Sequence, residues 1–280
     1  MKDIRAIEAM LNHYEKELHR QEKSKSTIEK YIRNAKAFFS WLGQDHLDKE
    51  KVIDYKQSLI EKGYAVRSIN AALAGLGNLL DFMNRPELKV KALRIQQKIF
   101  RPEENELTKA EYERLCLAAE SSKDIRLLLI LRTICSTGIR VSELKYITAE
   151  AVLSGEATIS CKAKTRTVFL VKALRQKLLK YIVQQGIQSG PIFVSRDGNP
   201  LDRTTIWRKM KKICKAANVE PRKVYPHNLR HLFARIFYGI EKDIAKLADV
   251  LGHSSINTTR IYIISTGTEH RKFMEKLKLV

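Results

Sequence analysis

The sequence predicts a mainly helical protein with one small antiparallel β-sheet, built as two domains. Three observations carry that reading. Through the first hundred residues, apolar side chains recur at helical spacing. EATIS (156–160) and RTVFLV (166–171), rich in β-branched residues and separated by CKAKT, read as a hairpin. The 280 residues exceed what one comfortable core needs.

The first helix carries Ile4, Ile7, Met10, Leu11, Tyr14 and Leu18 on one face. Ser26 and Glu29 have capping-box spacing and open a second helix, which stops at Gly43. A third helix runs near 49–62 and ends at Gly63, and a fourth runs near 67–83 before Pro86. Four amphipathic helices with short links make a bundle over 1–98. Residues 87–106 are basic, then acidic, with Pro102 inside, and read as a connector. A second domain follows over 107–280. Thr108 and Glu111 offer another capping box, and helices follow to about 136. After the hairpin, PIFVS (191–195) reads as a third short strand before a turn at Asp197-Gly198. Further helices are expected near 173–185, 203–217, 227–238, 242–251 and 256–262.

Lysine and arginine number 52 against 31 acids, a net charge of +21. The surplus runs through both halves, with 19 basic against 13 acidic residues over 1–100 and 33 against 18 over 101–280. Such a field points to a polyanion, most simply nucleic acid. The helix containing WRKMKKICK (207–215) is expected to face phosphates. Cys116, Cys135, Cys161 and Cys214 form no CxxC pair, which fits reduced thiols in a cytoplasmic protein. The N-terminus lacks a signal-peptide core, and the longest aliphatic run, LLLIL at 127–131, is too short to span a bilayer.

The chemistry gathers in two blocks. In HNLRH, His227, Arg230 and His231 stand at i, i+3 and i+4 and share a helix face. A zinc protease would need HExxH, with a glutamate as base; here an arginine stands among the histidines and would repel a dication. A phosphate suits the set better, because guanidinium offers a bidentate fork and imidazole a further donor. In STGIRVSEL (136–144), a helix breaks at Gly138 and presents Arg140, with Glu143 three residues on to orient a guanidinium. Two arginines from distant segments can clamp one phosphodiester and stabilise a pentacoordinate transition state.

TGIRVSEL, HNLRH, LGHSS and a tyrosine nine residues after His253 together resemble the tyrosine recombinase (lambda-integrase-like) family, over about 107–270. STIEKYIRNAKAFFSWL resembles, less specifically, the core-binding domain of Xer-type members. The resemblance implies an N-terminal core-binding bundle that clamps DNA and a C-terminal catalytic domain. It implies Arg140 and Arg230 as the catalytic arginines, His227 as the second-box histidine or lysine, His253 as the histidine after Leu-Gly, and Tyr262 as nucleophile. Glu143 matches the supporting acid and His231 the buttressing histidine. The family's hairpin lysine falls on Lys162, with Lys164 as the second lysine. Both family glycines of that turn are replaced, by Cys161 and Ala163; the turn is one residue shorter, and Phe169 stands where proline is usual.

The implied reaction leaves a 3′-phosphotyrosine and a free 5′-hydroxyl, with no metal and no cofactor, because bond energy is kept in the covalent link. His227 can take the tyrosine proton or share in the clamp. The implied partners are double-stranded DNA and further copies of the chain, as a homotetramer on two sites, with room for accessory DNA-binding proteins and no membrane. Bundle plus catalytic domain uses the whole given length, so, if the chain is complete, a simple recombinase without an arm-binding domain is expected, from a bacterium or mobile element. In the family a tail like TEHRKFMEKLKLV, with Phe273 and Leu277, docks on a neighbouring subunit. The competing readings are a non-catalytic DNA-binding relative and a type IB topoisomerase-like nicking-closing enzyme.

Overall fold

A computed structural model describes residues 4–95, 103–161, 164–263, 271 and 274–277. The chain separates into two units, Met1–Gln97 and Lys98–Val280. The first is a bundle of α1 (Ile4–Arg20), α2 (Lys25–Leu42), α3 (Lys49–Glu61) and α4 (Val66–Phe82). Its core holds Tyr14, Leu18, Phe38, Val52 and Leu79, all fully buried. The Tyr14 hydroxyl donates to Asn78 Oδ1 at 2.8 Å, which satisfies a phenol taken out of water. At Gly75 a Cβ would lie 2.9 Å from Asn34 Nδ2, so the missing side chain lets α4 close on α2.

Two expectations change in this unit. Helix α2 starts one residue before Ser26: Ser24 is extended, and its hydroxyl accepts from the Thr27 N–H, so Ser26 lies inside the first turn. The first part of the expected connector belongs to the bundle. Leu88 is buried, and Asn70 exchanges two 2.8 Å hydrogen bonds with the backbone of Leu93.

The second unit begins with α5 (Lys109–Ser121), which carries the full Thr108–Glu111 capping box. Next comes α6 (Ile125–Thr137), buried from Leu127 through Leu131, so the LLLIL run is the centre of a core. A 3₁₀ segment, Val141–Tyr146, and α7 (Ala149–Ser154) lead to β1 (Glu156–Cys161) and β2 (Lys164–Phe169). These strands pair antiparallel, from Glu156 opposite Phe169 to Cys161 opposite Lys164. Lys162 and Ala163, between them, lie outside the described residues. Then follow α8 (Lys172–Gln185), α9 (Arg203–Ile213), α10 (Pro226–Glu241), α11 (Ile244–Leu251) and α12 (Ile256–Ile263). Residues 264–270 and Phe273 of the expected docking tail also lie outside the description.

The expected third strand is not one. PIFVS makes only isolated bridges, Thr148 with Pro191 and Val194 with Pro200, and the sheet has two strands. Pro191 has no N–H for a ladder, and Ile192 and Phe193 are both buried, which breaks strand alternation. No helix among the described residues is long and apolar enough to cross a membrane.

Candidate active site

Helix α6 ends in a sharp left-handed turn at Gly138, φ +66°, where a Cβ would lie 2.4 Å from Phe233 Cδ1 of α10. That turn aims the Gly138 carbonyl at Arg230. Arg230 is 1% exposed. Its Nη1 donates to Gly138 O at 2.7 Å; its Nη2 donates to Leu251 O at 2.8 Å and to His253 Nε2 at 2.8 Å. Gly138 and Leu251 end α6 and α11, so two helix C-termini direct unpaired carbonyls and the negative ends of their dipoles at one guanidinium. Burial, and then the nearby Arg140, pull the Arg230 pKa down to about 10, while the Tyr262 phenol and the Glu143 carboxylate oppose them. It remains a cation at neutral pH. A guanidinium has five N–H donors, of which three are used here; its buried Nε has no partner among the described residues.

The second arginine is held by a carboxylate. Glu143, 3% exposed on its side chain, accepts the Arg140 backbone N–H on Oε2 at 2.7 Å and Arg140 Nη1 on Oε1 at 2.9 Å. From β2, Arg166 adds Nη1 to Oε1 at 3.2 Å and Nη2 to Oε2 at 2.8 Å. Arg230 Nη1 stands 4.0 Å from Oε2. Burial pushes the Glu143 carboxyl upward, but the Arg166 and Arg140 hydrogen bonds outweigh it and hold the pKa below the usual range. Arg140 keeps 39% of its side chain exposed, which leaves it open to a ligand.

The remaining residues are rings. Tyr262 of α12 is 3% exposed. Its ring lies 4.2 Å from that of His231, 5.4 Å from His253 and 5.6 Å from His227, centroid to centroid. His253 Nδ1 is 2.9 Å from Thr259 Oγ1. Arginine only donates, so His253 Nε2 accepts from Arg230 and the ring proton sits on Nδ1, toward Thr259. Burial, Arg230, Arg140 and Arg166, in that order, drive the His253 pKa down to about 4.

Arg140, His227 and Arg230 line a groove of about 760 Å³ together with Arg203, Thr204 and Trp207 of α9. The basic helix expected to face phosphates is therefore divided in purpose. Lys209 turns inward to Asp124 at 2.5 Å, and Lys211 reaches the Pro221 carbonyl. Among the described residues no three histidine, cysteine, aspartate or glutamate side chains are grouped to hold a metal ion.

Seven of the eight residues singled out from sequence thus meet: Arg140, Glu143, His227, Arg230, His231, His253 and Tyr262. The eighth, Lys162, lies outside the described residues. Comparison with known proteins agrees with this architecture. The profile of the phage integrase family matches residues 105–269. The chain belongs to the phage integrase family. Residues 11–86 match the phage integrase N-terminal SAM-like domain. Tyrosine recombinase XerA of Thermococcus kodakarensis is 29% identical over 280 residues, covering 97% of this chain and 96% of the relative. Its counterpart from Pyrococcus horikoshii is 28% identical, covering 92% and 90%. A lambda integrase tetramer bound to a Holliday junction shares the fold, with a TM-score of 0.72 at 21% identity over 91% of this chain and 76% of that one.

This integrase fold also uses residues that sequence reasoning passed over. Arg166 was read as part of a strand, standing where the family's hairpin pattern has an arginine, and was given no role. Its signal was register: it shares the face of β2 with buried Val168, and its partner Ile159 is buried, so a cation sits where an apolar side chain is expected. Thr259, fully buried, lies three residues before Tyr262 and carried no signal until its histidine was known.

Proposed function

We infer that this chain is a site-specific DNA recombinase that cleaves and rejoins strands through a 3′-phosphotyrosyl link at Tyr262. The observation that carries the reading is the placement of one phenol beside a buried, multiply bonded guanidinium and three imidazoles. In this reading the Tyr262 oxygen attacks the scissile phosphorus, and the 5′ oxygen leaves. His227, beside the phenol ring and on the groove wall, accepts the phenol proton. Arg140 and Arg230 take the non-bridging oxygens, where charge grows as the pentacoordinate state forms, and His253, neutral with its proton toward Thr259, holds the Arg230 guanidinium through Nε2. Arg230 meets them with the donors its carbonyl partners leave over. Lys162 gives its proton to the departing 5′ oxygen, an otherwise poor leaving group. A 5′-hydroxyl from another strand then reverses the attack and frees the tyrosine.

Phosphodiester entry runs along the groove between α9 and α10, with Arg203 and Trp207 against the duplex. The N-terminal unit, 1–98, clamps the same DNA, and the catalytic unit spans 107–280. Four copies act on two sites in the cytoplasm; the lambda integrase of like fold is itself a tetramer on a Holliday junction. The test is a nicked suicide duplex incubated with a chelator. A covalent protein–DNA band with a free 5′-hydroxyl is expected, followed by strand exchange between two labelled sites. Nicking and closing without exchange would replace the recombinase reading by a topoisomerase-like one, and no covalent band would leave only a DNA-binding protein.

A further inference from the structure

We propose that Arg166 is a positioning residue for DNA cleavage: it joins the hairpin to the phosphate-binding arginines and keeps Arg140 free to act on the phosphate. The proposal rests on the recombinase reading and adds to it a residue whose guanidinium touches no substrate.

Three chain segments meet at this side chain. It spans the Glu143 carboxylate with two hydrogen bonds, at 3.2 and 2.8 Å. It lies flat under the turn that leads to His253: a Cβ on Gly252 would come within 2.5 Å of Arg166 Nη1, 2.8 Å of its Cδ and 3.0 Å of its Cζ. Gly252 also has φ +67°, so the bare backbone there serves both the turn and the arginine beneath it. The third segment is the hairpin, gripped on both strands by the 3₁₀ segment Val141–Tyr146. Glu143 holds β2 through Arg166, and the Tyr146 hydroxyl donates to Ser160 O of β1 at 2.5 Å. Arg166 stands opposite Ile159, and Ser160 opposite Thr165, so the two grips lie at adjacent pairs, next to the Cys161–Lys164 end of the ladder.

Charge completes the case. Glu143 is a single carboxylate facing Arg140, Arg166 and, at 4.0 Å, Arg230. Each of its oxygens takes one hydrogen bond from Arg140 and one from Arg166. Three cations against one anion leave two positive charges, which match the two negative charges of a pentacoordinate phosphorane. Remove Arg166 and the carboxylate belongs mainly to Arg140, in a buried setting where such attraction is strong. Arg140 is then drawn toward Glu143 and away from the groove, and the hairpin loses its hold on the site. Arg166 itself is 15% exposed on its side chain, and its buried Nε has no partner among the described residues, so its work is directed inward.

The test compares Arg166→Gln, Arg166→Lys, Glu143→Gln and the double variant in single-turnover cleavage of a suicide duplex, with DNA affinity and melting temperature measured in parallel. Arg166→Gln is expected to keep its DNA affinity within about threefold and to cleave on the order of 10²-fold more slowly, the scale of a small misplacement at a reacting centre. Arg166→Lys, which keeps the charge, recovers part of that rate even where the glutamine variant is poorly folded. The double variant is no slower than the slower single one, because both changes break one unit. Undiminished cleavage by Arg166→Gln overturns the proposal. So does a loss of rate matched by loss of DNA affinity with no recovery in Arg166→Lys, which is the mark of general structural damage. If the unaltered protein forms no covalent complex, the recombinase reading falls and this proposal with it; a covalent complex that survives Arg166→Gln at full rate removes this proposal alone.

Discussion

The two halves of the site are held by different forces. On one side, Arg140, Glu143, Arg166 and Arg230 are locked by directed, charge-assisted hydrogen bonds to a carboxylate and to two helix-end carbonyls. On the other, Tyr262 lies among three imidazoles by ring contact, with its phenol toward Arg230 and the His253–Thr259 bond tying α12 to the rest. Phosphate recognition needs donors fixed before the charge arrives, since reorganisation during reaction costs rate. A nucleophile that must reach phosphorus and later be released gains from softer, less directional packing. If the recombinase reading holds, the cations supply the preorganisation and the tyrosine helix is the part expected to move.

The sharpest way to break the comparison is to delete the phenol oxygen of Tyr262, the proposed nucleophile. Tyr262→Phe keeps the ring among the imidazoles and removes the phenol oxygen together with its contact to Arg230. Covalent complex on suicide DNA should fall below detection while DNA affinity, read by gel shift, stays within about threefold. A covalent band of ordinary intensity would move the nucleophile to another residue.

The cation half is attacked next through its anion. Glu143→Ala removes the one carboxylate among three guanidinium groups and leaves buried like charges facing each other. Loss of one partner from a buried ion pair costs about 3–5 kcal/mol. Denaturant unfolding of the variant should show a loss of that order, and Glu143→Gln a smaller one, since an amide still accepts hydrogen bonds. Equal stability of all three proteins would mean that the network contributes nothing to the fold.

These two halves were not equally legible in the sequence. Arg140 with Glu143, and His227 with Arg230 and His231, are neighbours along the chain, and helical spacing or a short turn places them without tertiary knowledge. Their wider role depends on contacts no local pattern reports. The Arg166–Glu143 pair joins residues 23 positions apart, and the Arg230 bond to Gly138 spans 92. The glycine in LGHSS was visible, but not the guanidinium that requires it to be bare. PIFVS misled because β-branched composition marks burial as readily as pairing, and Ile192 and Phe193 are buried without a ladder. Ser26 misled because Ser24 offers the same hydroxyl two residues earlier with extended backbone.

Acid should act on the seam between the halves. His253 has an ordinary pKa of 6.5, and in the folded protein it is pushed down to about 4. Between those values the unfolded chain binds a proton that the folded one refuses, so stability falls as pH drops from about 6.5 toward 4. One such group contributes a slope of at most about 1.4 kcal/mol per pH unit, and about 3 kcal/mol in all. The unfolding free energy of the unaltered protein should therefore lose more across this window than that of His253→Gln, whose amide oxygen can still accept from Arg230. Parallel curves for the two proteins would show that His253 is protonated as readily folded as unfolded.

The smallest expected effect tests the ring half alone. Thr259→Val is nearly isosteric and leaves every cation in place, but it removes the acceptor for the His253 Nδ1 proton. A buried donor left without a partner costs about 1–3 kcal/mol. The imidazole also loses the bond that fixes its tautomer, so a fraction of molecules can carry the proton on Nε2, where it opposes the Arg230 donor. Because Thr259 and Tyr262 stand three residues apart on α12, loosening the first loosens the second. Cleavage should slow by less than for any change to the cations, with affinity for DNA unchanged, and Thr259→Ser should restore the parent rate because it keeps the oxygen. If Thr259→Val loses as much rate as Glu143→Gln, the ring half is as tightly preorganised as the cation half, and the division of labour between fixed charge and mobile tyrosine does not hold.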